Sequence, residues 1–280
     1  MSERARPDGL PEPRTAAGRE GLDALLAGHA AALVATDFDG TLAPIVADPS
    51  AATAHPAAAA TLADLAPNVG TVAVVTGRPA AQAVELGGFD GIAGLLVLGQ
   101  YGLQRWESGR LETPPPPPGV ALARAELPGL LERAGALPGT WIEDKEQALA
   151  VHTRRTADPD EALARVRGPL AELAERAGLG TEPGRMVIEL RPRGMDKGTA
   201  LRRLAGDRGA RSVLFCGDDR GDLAAFAAVR ELREAGTPGV TVYSSGSETV
   251  AELESQADLV VDGPDGVIAL LAALARAVLP

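Results

Sequence analysis

The stretch LVATDFDGTLAPI, residues 33–45, decides the fold. Its opening run Leu33-Val34-Ala35-Thr36 is apolar without alternation, the pattern of a strand covered on both faces in a parallel sheet. The run stops at Asp37, and Asp39 follows two residues on. On an extended backbone side chains offset by two share a side, so both carboxylates can face one point beyond the strand end. Gly40 then permits a sharp turn. A calcium loop is the rival reading of Asp-x-Asp, but it needs Gly at its sixth position and Glu at its twelfth. Leu42 and Asp48 stand there instead.

Similar runs recur outward from this stretch at 72–75, 95–98, 213–216, 240–243 and 259–261. Helical patterns lie between them at 53–66, 80–86, 197–206, 222–235, 247–254 and 265–278. Such alternation predicts an α/β core with a doubly wound parallel sheet. The rhythm breaks at Pro114 to Pro118, a stiff polyproline segment that cannot join a sheet interior. A helix near 120–135, strand-like stretches 140–144 and 147–153, a helix near 159–177 and strands near 180–183 and 186–191 follow. The expectation is an inserted α+β cap domain over 112–191, between core segments 21–111 and 192–280, with residues 1–20 a disordered lead-in.

Composition narrows the partners. The 280 residues carry a formal charge of -11, which opposes a nucleic-acid or anionic-membrane partner and leaves any anionic substrate to local positive groups. The single cysteine, Cys216, lies in an apolar run, so no internal disulfide or cysteine cluster forms and plain packing is expected. The N-terminal stretch mixes Arg, Glu and Pro and does not read as a secretory signal. No apolar segment approaches a membrane span. A soluble, cytoplasmic, monomeric protein acting on a small molecule is expected.

Ligands of doubly wound sheets bind outside the carboxyl ends of the strands, and four polar stations sit at such places. Asp37 and Asp39 are the first. Thr76, in Val75-Thr76-Gly77-Arg78-Pro79, ends a strand where a helix begins. Its hydroxyl and the amides of a helix start, around Gly77 and Arg78, would cradle a phosphate, although Thr there is also an ordinary cap. Lys197 opens the third helix-forming station, Met195-Asp196-Lys197-Gly198. Gly217-Asp218-Asp219-Arg220-Gly221-Asp222 is the fourth, and three carboxylates so close together call for a cation. Hard oxygen ligands with room for water indicate Mg2+. Capping of the next helix is the alternative for this cluster. In the chemistry these groups suit, Asp37 attacks phosphorus as a carboxylate, and Asp39 protonates the leaving oxygen, then deprotonates water. Lys197 restrains Asp37 and holds phosphate.

Together the four stations resemble the haloacid dehalogenase superfamily of phosphatases. The segments DFDGTLAPIVADPSAA, TGRP, LGQYGLQRW, WIEDKEQALAVHTR, MVIELRPRGMDKGTAL and GDDRGDLAAF are similar, over nearly the whole chain after residue 30, to the trehalose-6-phosphate phosphatase family. The resemblance implies an aspartyl-phosphate intermediate and hydrolysis of trehalose 6-phosphate. It implies Asp37, the Asp39 backbone carbonyl, Asp218, Asp219 and Asp222 as metal ligands, and Glu143, Lys145 and Glu189 of the cap as groups binding glucose hydroxyls. His152 could line that pocket, or serve structure alone. Gly221, Leu223 and Ala224 stand where the family has Thr, Glu and Asp, which touches the outer charge around the metal rather than the reaction. Another sugar phosphate, such as sucrose phosphate or mannosylglycerate phosphate, and an inactive sugar-phosphate sensor are the alternatives.

Overall fold

A computed structural model describes residues 9–46, 48–184, 186–246 and 250–279. In chain order its elements are α1 (Ala16–Ala27), β1 (Ala32–Thr36), α2 (Ala58–Leu65), β2 (Thr71–Val75), α3 (Ala80–Gly87), β3 (Leu95–Gly99), β4 (Gln104–Glu107) and β5 (Arg110–Glu112). They continue as α4 (Pro118–Arg133), β6 (Trp141–Asp144), β7 (Leu149–His152), α5 (Pro159–Arg176), β8 (Leu179–Gly184) and β9 (Val187–Pro192). The last are α6 (Lys197–Arg208), β10 (Ser212–Gly217), α7 (Leu223–Glu234), β11 (Gly239–Ser245), α8 (Ala251–Gln256), β12 (Leu259–Asp262) and α9 (Gly263–Ala277). Two compact units result. One takes the chain up to Thr113 and from Asp196 onward, the other Pro114–Met195.

The first unit is built on a sheet ordered β12-β11-β10-β1-β2-β3-β4-β5. Strands β12 to β3 run parallel, and β4 and β5 add an antiparallel edge. Every residue of β1, β2, β3 and β10 is buried, because helices cover both faces. Val34, Val74, Val97 and Leu214 pack with Leu22, Leu62, Val84 and Leu271 of α1, α2, α3 and α9. Leu33, Ala35, Val75 and Phe215 pack on the other face with Leu201, Phe226 and Leu253 of α6, α7 and α8. Each such aliphatic side chain contributes roughly 1.5–3 kcal/mol by leaving water. From β1 the order runs to β2 and β3 on one side and to β10 and β11 on the other, so β1 marks the switch point of the sheet. Cys216 is fully buried in this core, and burial pushes its thiol well up, in keeping with packing.

Two features depart from the sequence reading. The disordered lead-in over residues 1–20 is corrected in its second half: Leu10 is buried and α1 begins at Ala16. The Thr15 hydroxyl accepts from Gly18 N at 2.9 Å, a side-chain N-cap. Gly21 lets the helix touch the sheet, since a Cβ there would lie 2.0 Å from the Gly239 carbonyl. The mix of Arg, Glu and Pro reads as disorder, whereas the helix that starts within it buries Leu22 and Leu25 completely. Residues 1–8 of that lead-in lie outside the described residues. The helix read at 53–66 starts only at Ala58, past Pro56, because proline disfavours helical backbone in the residue before it. Residues 247–249 of the helix read at 247–254 also lie outside the described residues, and α8 begins at Ala251.

In the second unit an antiparallel sheet ordered β6-β7-β9-β8 is backed by α4 and α5. Leu149, Val151, Ile188 and Leu190 alternate toward Leu127, Leu131, Val166 and Leu170 of these helices. Glu143 of β6, Ala150 and His152 of β7 and Val187 and Glu189 of β9 lie on the opposite face, whereas Ile142 of β6 packs with the helices. Pro183 falls in β8, an edge strand where the missing N–H costs no ladder bond.

Candidate active site

The Asp37 amide donates to the Cys216 carbonyl at 2.8 Å, one step beyond the last register pair Thr36 and Cys216. Three adjacent strand ends therefore deliver Asp37 from β1, Thr76 from β2 and Asp218 from β10. The turn after Asp37 is tight: the Leu42 and Ala43 amides both donate to the Phe38 carbonyl at 2.8 Å, and Gly40 takes φ +70°. A Cβ on Gly40 would lie 1.9 Å from Asp218 Oδ2, so no other residue fits without displacing that carboxylate.

Lys197 begins α6, where the helix dipole disfavours a cation. Two carboxylates hold it there, Asp37 Oδ1 and Asp222 Oδ1, each 2.8 Å from Nζ. Lys197 is 4% exposed, Asp37 4% and Asp222 0%. Burial works against the ammonium charge, but Asp222 and Asp37 outweigh it and raise its pKa well above the ordinary lysine value. Asp222 Oδ2 accepts from the amides of Asp218 and Asp219 at 3.0 and 3.1 Å, and Asp219 Oδ1 accepts from Gly221 N at 2.8 Å. These bonds cap the short 3-10 turn Arg220–Asp222, while α7 itself receives no side-chain cap from Asp222, and Asp222 anchors Lys197 as well as the Asp218 loop.

Oxygens of Asp37, Asp218, Asp219 and Asp222 lie within 4.8 Å of one another. Burial, opposed by Lys197 and reinforced by Asp222, Asp218 and Asp219, holds the Asp37 carboxyl well above the carboxylate range. Burial likewise pushes Asp218 up to about 8, with Asp222 and Asp219 adding to it. One ammonium faces four carboxylates, two of them buried, so the donor set suits a hard divalent cation, which supplies the missing charge.

Thr76 and Arg78 also lie at this end of the sheet. The Thr76 hydroxyl accepts from Arg78 N at 3.1 Å, which leaves its own proton to donate. The Arg78 fork holds Asp39, Nε to Oδ2 at 2.7 Å and Nη2 to Oδ1 at 2.6 Å, and the guanidinium lies 5.5 Å from the Phe38 ring centroid. The neighbour expected for Asp39 was another carboxylate; the one found is a guanidinium.

In the second unit Glu143 and Glu189 flank Ala150 in register on the face opposite α4 and α5. Lys145 Nζ lies 2.5 Å from Glu189 Oε2. His152 Nε2 is 2.8 Å from Glu143 Oε2, and its ring stacks on Trp141 with centroids 4.0 Å apart. That hydrogen bond, ahead of the opposing burial and the help of Lys145, holds Glu143 below the ordinary glutamate range. The fold thus gathers Glu143, Lys145 and Glu189 with one another.

Sequence reasoning passed over Thr41, fully buried with its hydroxyl 3.4 Å from Asp218 Oδ1, and Ser244, whose hydroxyl donates to the Gly40 carbonyl at 2.7 Å. Nothing local marks Ser244, whereas Thr41 belongs to the DFDGT stretch without having been given a role. Tyr101 and Gln104 lie in a segment quoted for resemblance without being given a role.

Comparison with known proteins places the chain in a family. The trehalose-phosphate phosphatase of Mycobacterium marinum is 33% identical over 232 residues, covering 80% of this chain and 54% of that protein. The chain thus spans about half the length of the curated relatives it matches. The Aspergillus fumigatus trehalose-6-phosphate phosphatase structure superposes with a TM-score of 0.66 at 24% identity, covering 96% of this chain and 99% of that one. A haloacid dehalogenase-like hydrolase from Bacteroides thetaiotaomicron superposes at 0.56 and 16% identity, covering 86% and 98%. At such identities the likeness is one of fold. The Trehalose-phosphatase family profile matches residues 35–263, a span running from the strand before Asp37 past the acidic loop. By that match, and by the strand ends that carry its polar stations, the chain belongs to the trehalose-phosphatase family.

Proposed function

We propose that the chain hydrolyses trehalose 6-phosphate to trehalose and phosphate through an aspartyl-phosphate on Asp37, the last step of trehalose biosynthesis. The observation that carries this reading is Asp37 at the switch-point strand end, ion-paired to buried Lys197 beside the acidic loop. An Asp37 oxygen attacks phosphorus as the bond to the sugar oxygen breaks, and Asp39 gives that oxygen its proton. Asp39 then takes a proton from water, which attacks phosphorus and frees Asp37. To act in both steps, Asp39 must leave the Arg78 fork, because a guanidinium is only a donor. Lys197 has one N–H left after Asp37 and Asp222, which it can give to a phosphoryl oxygen together with the Thr76 hydroxyl and the Gly77 and Arg78 segment. Mg2+, held by Asp37, the Asp39 carbonyl, Asp218, Asp219 and Asp222, would neutralise charge on the transferring group. Glu143, Lys145 and Glu189 would pair with glucose hydroxyls, two acceptors and a donor from one sheet face.

Purified protein with Mg2+ should release phosphate from trehalose 6-phosphate in preference to sucrose phosphate and mannosylglycerate phosphate. Asp37→Asn should lose that release by about 10³-fold or more with folding intact. Full activity in the variant defeats the mechanism, preference for another sugar phosphate defeats the substrate, and binding without turnover would show a sensor.

A further inference from the structure

Between β3 and β4 the chain adopts a conformation that its residues resist. Gln100 and Tyr101 take φ +48° and +57°, followed by Gly102 at +93°, so two adjacent side-chain-bearing residues occupy the left-handed region. Strain of this kind persists only where surrounding structure over-determines it, and it gathers at ligand sites. Here the bracing is specific. Gln100 N donates to the Arg78 carbonyl at 2.8 Å and Tyr101 N to the Thr76 carbonyl at 2.9 Å. Gln104 Oε1 accepts from Ala80 N, at the start of α3, at 2.8 Å. The loop is therefore fastened along the Thr76-Gly77-Arg78 segment.

The fastening presses the Tyr101 phenol onto Gly77. A Cβ at Gly77 would lie 2.8 Å from the Tyr101 hydroxyl oxygen and 2.9 Å from its Cζ. The ring is half-buried, with its polar end beside the phosphate cradle. A phosphate monoester presents three acceptor oxygens, and Lys197 and Thr76 offer them only a few donors. A phenol adds one more without adding charge, and its bond to an anionic oxygen is a strong one.

We propose that Tyr101 is a further substrate-positioning residue, its hydroxyl donating to the phosphoryl group of a phosphate monoester in the Thr76 and Gly77 cradle. The assignment rests on the phosphate-binding part of the proposed function and not on the identity of the sugar.

The test uses the full chain with Mg2+. Inorganic phosphate affinity is measured by calorimetry, and kcat/KM on trehalose 6-phosphate and on p-nitrophenyl phosphate. Tyr101→Phe keeps the ring and backbone, and its melting temperature is measured alongside to separate loss of fold from loss of binding. Phosphate affinity and kcat/KM on both esters should fall together, by about ten-fold. Tyr101→Gly suits the positive φ but lacks the hydroxyl, so it should lose at least as much. Phosphate affinity and both rates within about two-fold of wild type in Tyr101→Phe would overturn the proposal. A loss confined to trehalose 6-phosphate would overturn it too, since the hydroxyl would then read the sugar, as would wild-type activity in Tyr101→Gly. If wild type fails to hydrolyse trehalose 6-phosphate, the functional reading falls, while phosphate affinity still decides the role of Tyr101.

Discussion

Asp39 shows how much one side chain's role depends on its neighbours. It sits two residues past Asp37, the proposed nucleophile, yet its carboxylate faces Arg78, and the split between the two aspartates yields a sharp expectation. An aryl phosphate leaves without needing a proton, so Asp39→Asn should still release nitrophenolate from p-nitrophenyl phosphate, then stall with Asp37 phosphorylated. A rapid-mixing experiment should show a burst of about one equivalent followed by slow turnover. Full steady-state activity without a burst would exclude Asp39 as the base. Asp218 yields a second expectation. Its folded pKa of about 8 lies above the unfolded value of ~4, so in metal-free protein the folded state binds the extra proton between them. Folding is therefore favoured at low pH, and this contribution fades as pH rises from ~4 to ~8. A divalent ion competes with that proton. The gain in melting temperature on adding Mg2+ should thus grow between pH ~5 and ~8, and a gain independent of pH would speak against Asp218 as a ligand.

At the level of elements, the strands of the parallel sheet were legible because residues buried on both faces must be apolar throughout. The β4 and β5 edge was not, because its strands alternate or are wholly exposed and carry no such run. Nor was α1, in which Gly21 is a contact point with β11 and Gly18 is one with Asp258, neither of them a break. Leu22 on that helix is fully buried against the sheet, so Leu22→Ala should destabilise the protein by about 2–5 kcal/mol in denaturant unfolding. An unchanged midpoint would return the segment to disorder. Asp258, 1% exposed, accepts from the Thr15 hydroxyl, Arg233 and the Thr241 amide and hydroxyl. That network ties the start of α1 to α7 and β11.

For the molecule as a whole, the proposed function gives phosphoryl chemistry and sugar choice to different compact units. Lys145→Ala or Glu189→Gln should then lower kcat/KM on trehalose 6-phosphate by about ten-fold or more while leaving p-nitrophenyl phosphate hydrolysis near wild type. Equal losses on both esters would contradict the division. Among the described residues no helix is long and apolar enough to cross a membrane. The α/β class, the four polar strand ends and the inserted α+β segment could be read from the chain alone, since burial periodicity and the polar residues that end each run are local properties. Which groups meet could not. The double grip on Lys197, the Arg78 fork on Asp39, the His152 contact with Glu143 and the pressure of Tyr101 on Gly77 join residues 9 to 160 positions apart or set by strained backbone. Only the packing of strands and helices brings such partners within hydrogen-bond reach, because side-chain contact is decided by three-dimensional register rather than by spacing along the chain.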